Sequence, residues 1–302
     1  MARLTKTSAR LAVAVATAAG LAVTGMPGAA QATPARASAS GVPQLRVAIT
    51  DNDLYLDGPT TFAAGRLKMS LEGARDKGSA SAAVARLDPG YTWHHLRSDI
   101  RTFGENLFGP NGNKKKGLKA LNDVIDHVTA YGGFVADAGK AEHGRLLIDQ
   151  GAGTYYLFDD SHNLPRHPHR LTVTAPAGPQ ALPTTDGKVV AHTNRRFRGS
   201  TVLPANGNIT FKNVSTESPH FLGLVHVKNG TTRKQVINAF QNNDHSIFLP
   251  GEQDMELLTT GQQMEVHLHL QPGQYAEACF FPDPKTGMPH ALMGMVRIVR
   301  VK

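Results

Sequence analysis

Four residues near the C-terminal end could do chemistry together. His220 follows the segment Phe211-Lys212-Asn213, Cys279 ends the stretch Gly273-Gln274-Tyr275, and His290 and Met295 lie in His290-Ala291-Leu292-Met293-Gly294-Met295. One thiolate and two imidazoles with a weak thioether make the donor set of a mononuclear copper electron-transfer centre. The thiolate and thioether favour Cu(I), and the imidazoles keep Cu(II) accessible. Cys279 is the single cysteine of the 302-residue chain, so it cannot pair within it. Met293 competes with Met295 for the axial place. Taken singly, each residue has an ordinary alternative: a buried core cysteine, a loop histidine bonded to backbone, a methionine closing a core.

The elements that must position these residues follow a plan used twice. Leu45–Ile49 alternates as a strand, a Gly-Pro corner follows (Gly58 to Gly65), and Leu67, Met69 and Leu71 alternate again. The second half repeats this with Val189-Val190-Ala191, the corner Gly199 to Gly207, and Ile209 and Phe211. Ala83–Gly90 matches Gly223–Gly230, and Gly153–Asp159 matches Gly273–Cys279. Each half ends on a further strand, Leu171–Val173 or Val296–Val299. Helical inserts are expected where Trp93, Leu96, Ile100 and Phe103 recur, where Leu118, Leu121, Val124, Ile125 and Val128 form a stripe, and around Val236 and Phe240. Lys114-Lys115-Lys116 reads as a solvated helix start.

On those residues the chain resembles the cupredoxins. F-K-N-x(6)-H (Phe211 to His220) is similar to the first-histidine segment of plastocyanin-type proteins, G-Q-Y-x(3)-C (Gly273 to Cys279) to their cysteine strand, and H-x(3)-G-M (His290 to Met295) to their closing loop. The resemblance favours Met295 over Met293 and implies one copper per chain, held by His220, Cys279, His290 and Met295. It implies an all-β chain of two tandem cupredoxin-like Greek-key β-sandwiches with short helical inserts. Ten residues separate Cys279 from His290, more than in plastocyanin-like loops and comparable to copper nitrite reductases, which also carry two such sandwiches.

The expected organisation is a signal peptide over 1–32, a leader over 33–44, a copper-free sandwich over 45–174, a linker over 175–187 and the copper sandwich over 188–302. The signal reading rests on Arg3, Lys6 and Arg10, the apolar run Leu11–Val23 and the cleavage pattern Ala30-Gln31-Ala32. It implies a secreted or extracytoplasmic protein with no membrane-spanning segment after cleavage. Removal of residues 1–32 leaves 29 basic against 24 acidic residues. That mild excess, with no arginine-rich helix, does not suggest nucleic-acid binding.

In the first half Asp159 stands where Cys279 stands, and Ala80 falls near the His220 position. A copper site of the same type is not expected there. His162, His167 and His169 cluster in its closing loop, and Asp51, Asp53 and Asp57 near a turn read as backbone caps rather than calcium ligands. Multicopper oxidases need four His-x-His pairs, whereas only His167-Pro168-His169 and His267-Leu268-His269 have that form. The neighbours of Cys279 are Ala278 and Phe280, not the histidine that links two coppers in oxidases and nitrite reductases. The chain is therefore read as a protein for electron transfer or copper handling with an unknown redox or protein partner, not as an enzyme. The alternatives are a copper-free binding module for a protein or cell-surface ligand, and a degenerate two-domain copper oxidoreductase.

Overall fold

The structure is a computed structural model and describes residues 41–176 and 181–302. The expected signal peptide and most of the expected leader lie outside the described residues, as does part of the expected linker (177–180). The strands are β1 (Gln44–Ile49), β2 (Leu54–Asp57), β3 (Thr61–Ala63), β4 (Gly65–Glu72), β5 (Ser79–Leu87), β6 (Val128–Asp137), β7 (Ala141–Ile148), β8 (Gly153–Asp159) and β9 (Arg166–Thr174). The second half supplies β10 (Gly187–His192), β11 (Arg196–Gly199), β12 (Val202–Leu203), β13 (Asn206–Asn213), β14 (His220–Val227), β15 (Gln253–Leu258), β16 (Gln263–His269), β17 (Gly273–Ala278) and β18 (Val296–Val301). Three helices join them: α1 (Trp93–Phe108), α2 (Lys114–His127) and α3 (Arg233–Asn242).

Period-two burial accounts for the strands. Along β4, Leu67, Met69 and Leu71 point inward while Lys68 and Glu72 stay exposed. The helices start on caps that the sequence supplies. Thr92 accepts from the His95 N–H while His95 Nδ1 accepts from the Thr92 N–H, and Thr232 with Gln235 repeats the device at α3. Lys114, Lys115 and Lys116 are exposed at the start of α2 as expected, but Val128 belongs to β6 and not to the helical stripe.

The duplication is present in the topology. In the first half the sheets run β7-β4-β1-β2 and β6-β5-β8-β9-β3; in the second, every strand takes the place of the one nine numbers earlier. Register repeats too: Ala83 faces Phe158, and their counterparts Gly223 and Ala278 face each other. The all-β pair of sandwiches is thus the observed architecture.

The sandwiches are not beads on a linker. β6 pairs with β15 and β7 with β16, so one eight-stranded and one ten-stranded sheet run through both halves. Arg145 pairs with Glu265, its own counterpart in the repeat (265 − 145 = 120). The seam therefore has local two-fold character, with the Arg145–Glu265 ion pair at its centre. One continuous hydrophobic core holds Leu45, Tyr131 and Tyr155 from the first half and Phe211, Tyr275 and Cys279 from the second. No helix among the described residues is long and apolar enough to cross a membrane.

Candidate metal centre

Strand register brings the distant residues together. β14 and β17 are antiparallel neighbours with Gly223 opposite Ala278, so His220 at the start of β14 lies beside Cys279 just past the end of β17. β18 pairs with the other edge of β17, Val296 opposite Ala278, which returns the segment holding His290 and Met295 to the same end. His220 Nδ1 stands 3.6 Å and His290 Nδ1 3.7 Å from Cys279 Sγ. The two imidazole rings are tilted by 55° with centroids 4.8 Å apart. All three residues are fully buried.

The separations fit one shared ion. A ring nitrogen about 2.0 Å and a sulfur about 2.3 Å from a common metal at trigonal angles stand roughly 3.7 Å apart. Among the described residues these are the one group of three histidine, cysteine or acidic donors within reach of a single ion. Met295 is fully buried, in the same core cluster as Cys279, and its N–H donates to the His290 carbonyl at 2.8 Å. Met293 is only half-buried, and its sulfur accepts from the Thr286 hydroxyl at 3.8 Å.

Burial sets the protonation states. Desolvation, with the charges of His290 and Arg195 adding to it, lowers the His220 pKa to about 3. Desolvation lowers that of His290 to about 4, against a raising influence from Asp283. Both rings are therefore neutral at pH 7, the state in which imidazole binds a metal. Burial pushes the Cys279 thiol up to about 12, while hydrogen bonds from the backbone of Phe281 and Phe221 work toward the thiolate. A metal entering here must displace the thiol proton.

The long segment between Cys279 and His290 is folded into a hairpin. Ala291 N–H donates to the Cys279 carbonyl at 2.6 Å, His290 N–H to Phe281 at 3.0 Å, and Asp283 N–H to Met288 at 2.9 Å. Pro282 and Pro289 face each other across it, and Gly287 (φ +70°) closes the turn where a side chain would be strained. The Asp283 carboxylate accepts from Lys285 N–H, Thr286 N–H and the Thr286 hydroxyl, and pairs with Arg195 at 2.9 Å. Although burial opposes its charge, these bonds and Arg195 hold Asp283 below the usual carboxylate range.

Arg195 itself sits at φ +54°, next to Asn194 at +64°, in the turn between β10 and β11. A non-glycine residue there costs on the order of 1 kcal/mol or more; the ion pair offsets it. On the other side the Asn213 amide donates to the Ser218 and Leu258 carbonyls and accepts from Ser215 N–H, fixing the approach to His220. Sequence reasoning missed Arg195 and Asp283. The paired charges lie 88 residues apart, with no motif to link them.

The first half contributes a cover. Asn122 on α2 donates to the Pro284 carbonyl at 3.0 Å, and Leu107 and Leu118 lie against Gly287 at the hairpin tip. Asp159, in the cysteine's place, is buried and accepts from Ser161 N–H, and Ala80 is fully buried. His167 and His169 are on β9 rather than in a loop; His167 pairs with Asp53 and His169 bonds the Leu54 carbonyl. Asp51 and Asp57 are held by Arg75 and Arg46, and Asp53 caps Leu54 N–H. His267 stacks on His143, while His269 turns to Glu142 at 3.1 Å. Glu277, two residues before the cysteine, makes a two-point ion pair with Arg297, which also reaches the Gly199 and Ser200 carbonyls.

No family model and no curated protein matches the chain. Among solved structures it is similar to reduced auracyanin from Roseiflexus castenholzii, at 19% identity over 38% of this chain and 94% of that one, TM-score 0.25. It is also similar to a multicopper oxidase (12% identity, 86% of this chain, 88% of that one, TM-score 0.23). A copper-containing nitrite reductase from Thermus scotoductus SA-01 overlaps at 11% identity over 87% of this chain and 61% of that one, TM-score 0.21. At such values the overlaps carry no argument alone, and the chemistry of the centre stands on its own residues.

Proposed function

We propose that the protein is a copper-binding protein with one mononuclear centre per chain, in which His220, Cys279, His290 and Met295 would hold the copper. The observation that carries this reading is the buried trio His220, Cys279 and His290, whose donor atoms all lie within 4.8 Å of one another, with the Nδ1 atoms of both rings 3.6 and 3.7 Å from the sulfur. When bound there, copper supplies a one-electron couple. The chain's residues supply the rest. The buried rings are held neutral, the sulfur gives up its proton on loading, and the surrounding core excludes water. The hairpin clamped by Asp283 and Arg195 keeps the donors in place, which suits fast electron transfer.

The reading is electron transfer or copper handling outside the cytoplasm, with a redox or protein partner of unknown identity. Ala278 and Phe280 flank Cys279, so no histidine adjacent in sequence carries electrons onward to a second copper. The first half serves as a copper-free support.

The test is a copper titration of the purified protein, with metal analysis and visible absorption. One copper per chain and an intense thiolate band lost in Cys279→Ser support the reading. Absence of stoichiometric copper overturns it and favours the copper-free binding module. A second copper per chain favours the oxidoreductase.

A further inference from the structure

The donors of the centre are all out of reach of solvent. His220, Cys279, His290 and Met295 are fully buried, so an incoming ion needs ligands outside the core that replace its water before it passes inward. The methionines are placed to supply them. Met69, Met255 and Met264 are buried in the core. Among the described residues, the methionines that reach the surface are Met288, 48% exposed, and Met293, half-buried.

Both belong to the segment that closes the centre. Met288 lies two residues before His290 and Met293 three after it, and the N–H groups of Met293 and Met295 both donate to the His290 carbonyl, at 3.0 and 2.8 Å. The Thr286 hydroxyl joins the outer two: it accepts from the Met288 N–H at 3.3 Å and donates to the Met293 sulfur at 3.8 Å. One short segment thus carries an exposed, a half-buried and a buried methionine around a buried histidine. A single exposed methionine is ordinary. Two of them beside the one candidate metal centre, with every other described methionine in the core, form a gradient of sulfur from surface to centre. Thioether sulfur is a soft, uncharged donor that selects Cu(I) and has no proton to lose.

We propose that Met288 and Met293 form an outer Cu(I) site, a way-station through which the buried centre is loaded. The proposal rests on the copper reading of that centre and deepens it by naming the oxidation state and the route of entry. The ion passes from the thioethers to Cys279 and His290 with no change of oxidation state. A copper–sulfur bond forms at Cys279 as the thiol proton leaves to solvent, and the weaker thioether contacts break.

The outer site is tested first without the inner one. Silver(I), a soft stand-in for Cu(I), is titrated into Cys279→Ser protein carrying isotope-labelled methionine methyl groups, followed by NMR. The Met288 and Met293 signals, assigned with Met288→Leu and Met293→Leu, are expected to shift together and saturate. Those of Met69, Met255 and Met264 are expected to stay in place and to report an intact fold. In the second arm the parent and the double variant Met288→Leu/Met293→Leu are loaded anaerobically with acetonitrile-stabilised Cu(I), and separately with Cu(II). Leucine keeps the volume and apolarity of methionine and removes the sulfur. The double variant is expected to take up Cu(I) several-fold more slowly, to reach the same final copper content, and to take up Cu(II) at the parent's rate. The proposal is overturned if silver leaves the Met288 and Met293 signals unshifted, or if the double variant loads Cu(I) as fast as the parent; the two side chains are then apolar surface only. The two readings fail differently. A parent that never takes up stoichiometric copper removes the centre and the way-station with it, whereas full copper content with an unchanged Cu(I) rate in the variant removes the way-station alone.

Discussion

Burial keeps His220 and His290 neutral, the state in which imidazole can bind a metal, and works against the thiolate at Cys279. Because the histidine pKa values fall to about 3 and 4 in the folded chain, an unfolded chain takes up these protons at higher pH than the native one. Stability from the pair is complete above about 6.5 and is lost as pH falls toward the folded values, at roughly 1.4 kcal/mol per pH unit for each ring. Denaturant unfolding of the metal-free protein between pH 7 and pH 5 should show this slope, and His290→Asn should halve it. Copper loading at pH 7 should release one proton, from the Cys279 thiol, measurable as acid liberated in weakly buffered solution. At Asp283 the neutral variant Asp283→Asn should cost about 1 to 3 kcal/mol, discounted for the partial exposure of Arg195, and should speed loss of bound copper.

The elements explain why the site is shielded. α1 and α2 belong to the half with no metal donors of this kind, yet they pack on the hairpin between Cys279 and His290. Their own contact is close: a Cβ added at Gly117 would come within 2.8 Å of Leu107 Cγ. Gly117→Val should therefore destabilise by about 1 to 3 kcal/mol through overpacking, seen as a lower denaturation midpoint. Asn122→Ala should cost about 1 kcal/mol and expose the hairpin, read as faster amide exchange at Asp283 and Gly287. The sequence announced the helices through their apolar spacing and caps. It did not announce what they cover, because the contact joins Asn122 to Pro284 across 162 residues.

At the scale of the whole molecule, two copies of one nine-strand plan share their sheets edge to edge. A common core and two continuous sheets couple the halves, so calorimetry should record a single cooperative transition; two separated transitions would show independent sandwiches. The repeat was legible in the matched strands because both halves keep the same alternation and corners. The trio that the fold brings together was legible because His220 begins β14, Cys279 directly follows β17 and His290 lies in the patterned segment before β18. The seam was not legible. β6, β7, β15 and β16 have side-chain patterns that would serve equally for exposed or paired edges, and backbone pairing leaves little mark on residue type.

The central claim is that one sulfur and two ring nitrogens hold a single copper. X-ray absorption at the copper edge of the loaded protein tests it most directly. A short copper–sulfur shell with two nitrogen neighbours, the sulfur shell vanishing in Cys279→Ser, is the expected result. A spectrum of nitrogen and oxygen neighbours alone, unchanged by that substitution, would contradict it.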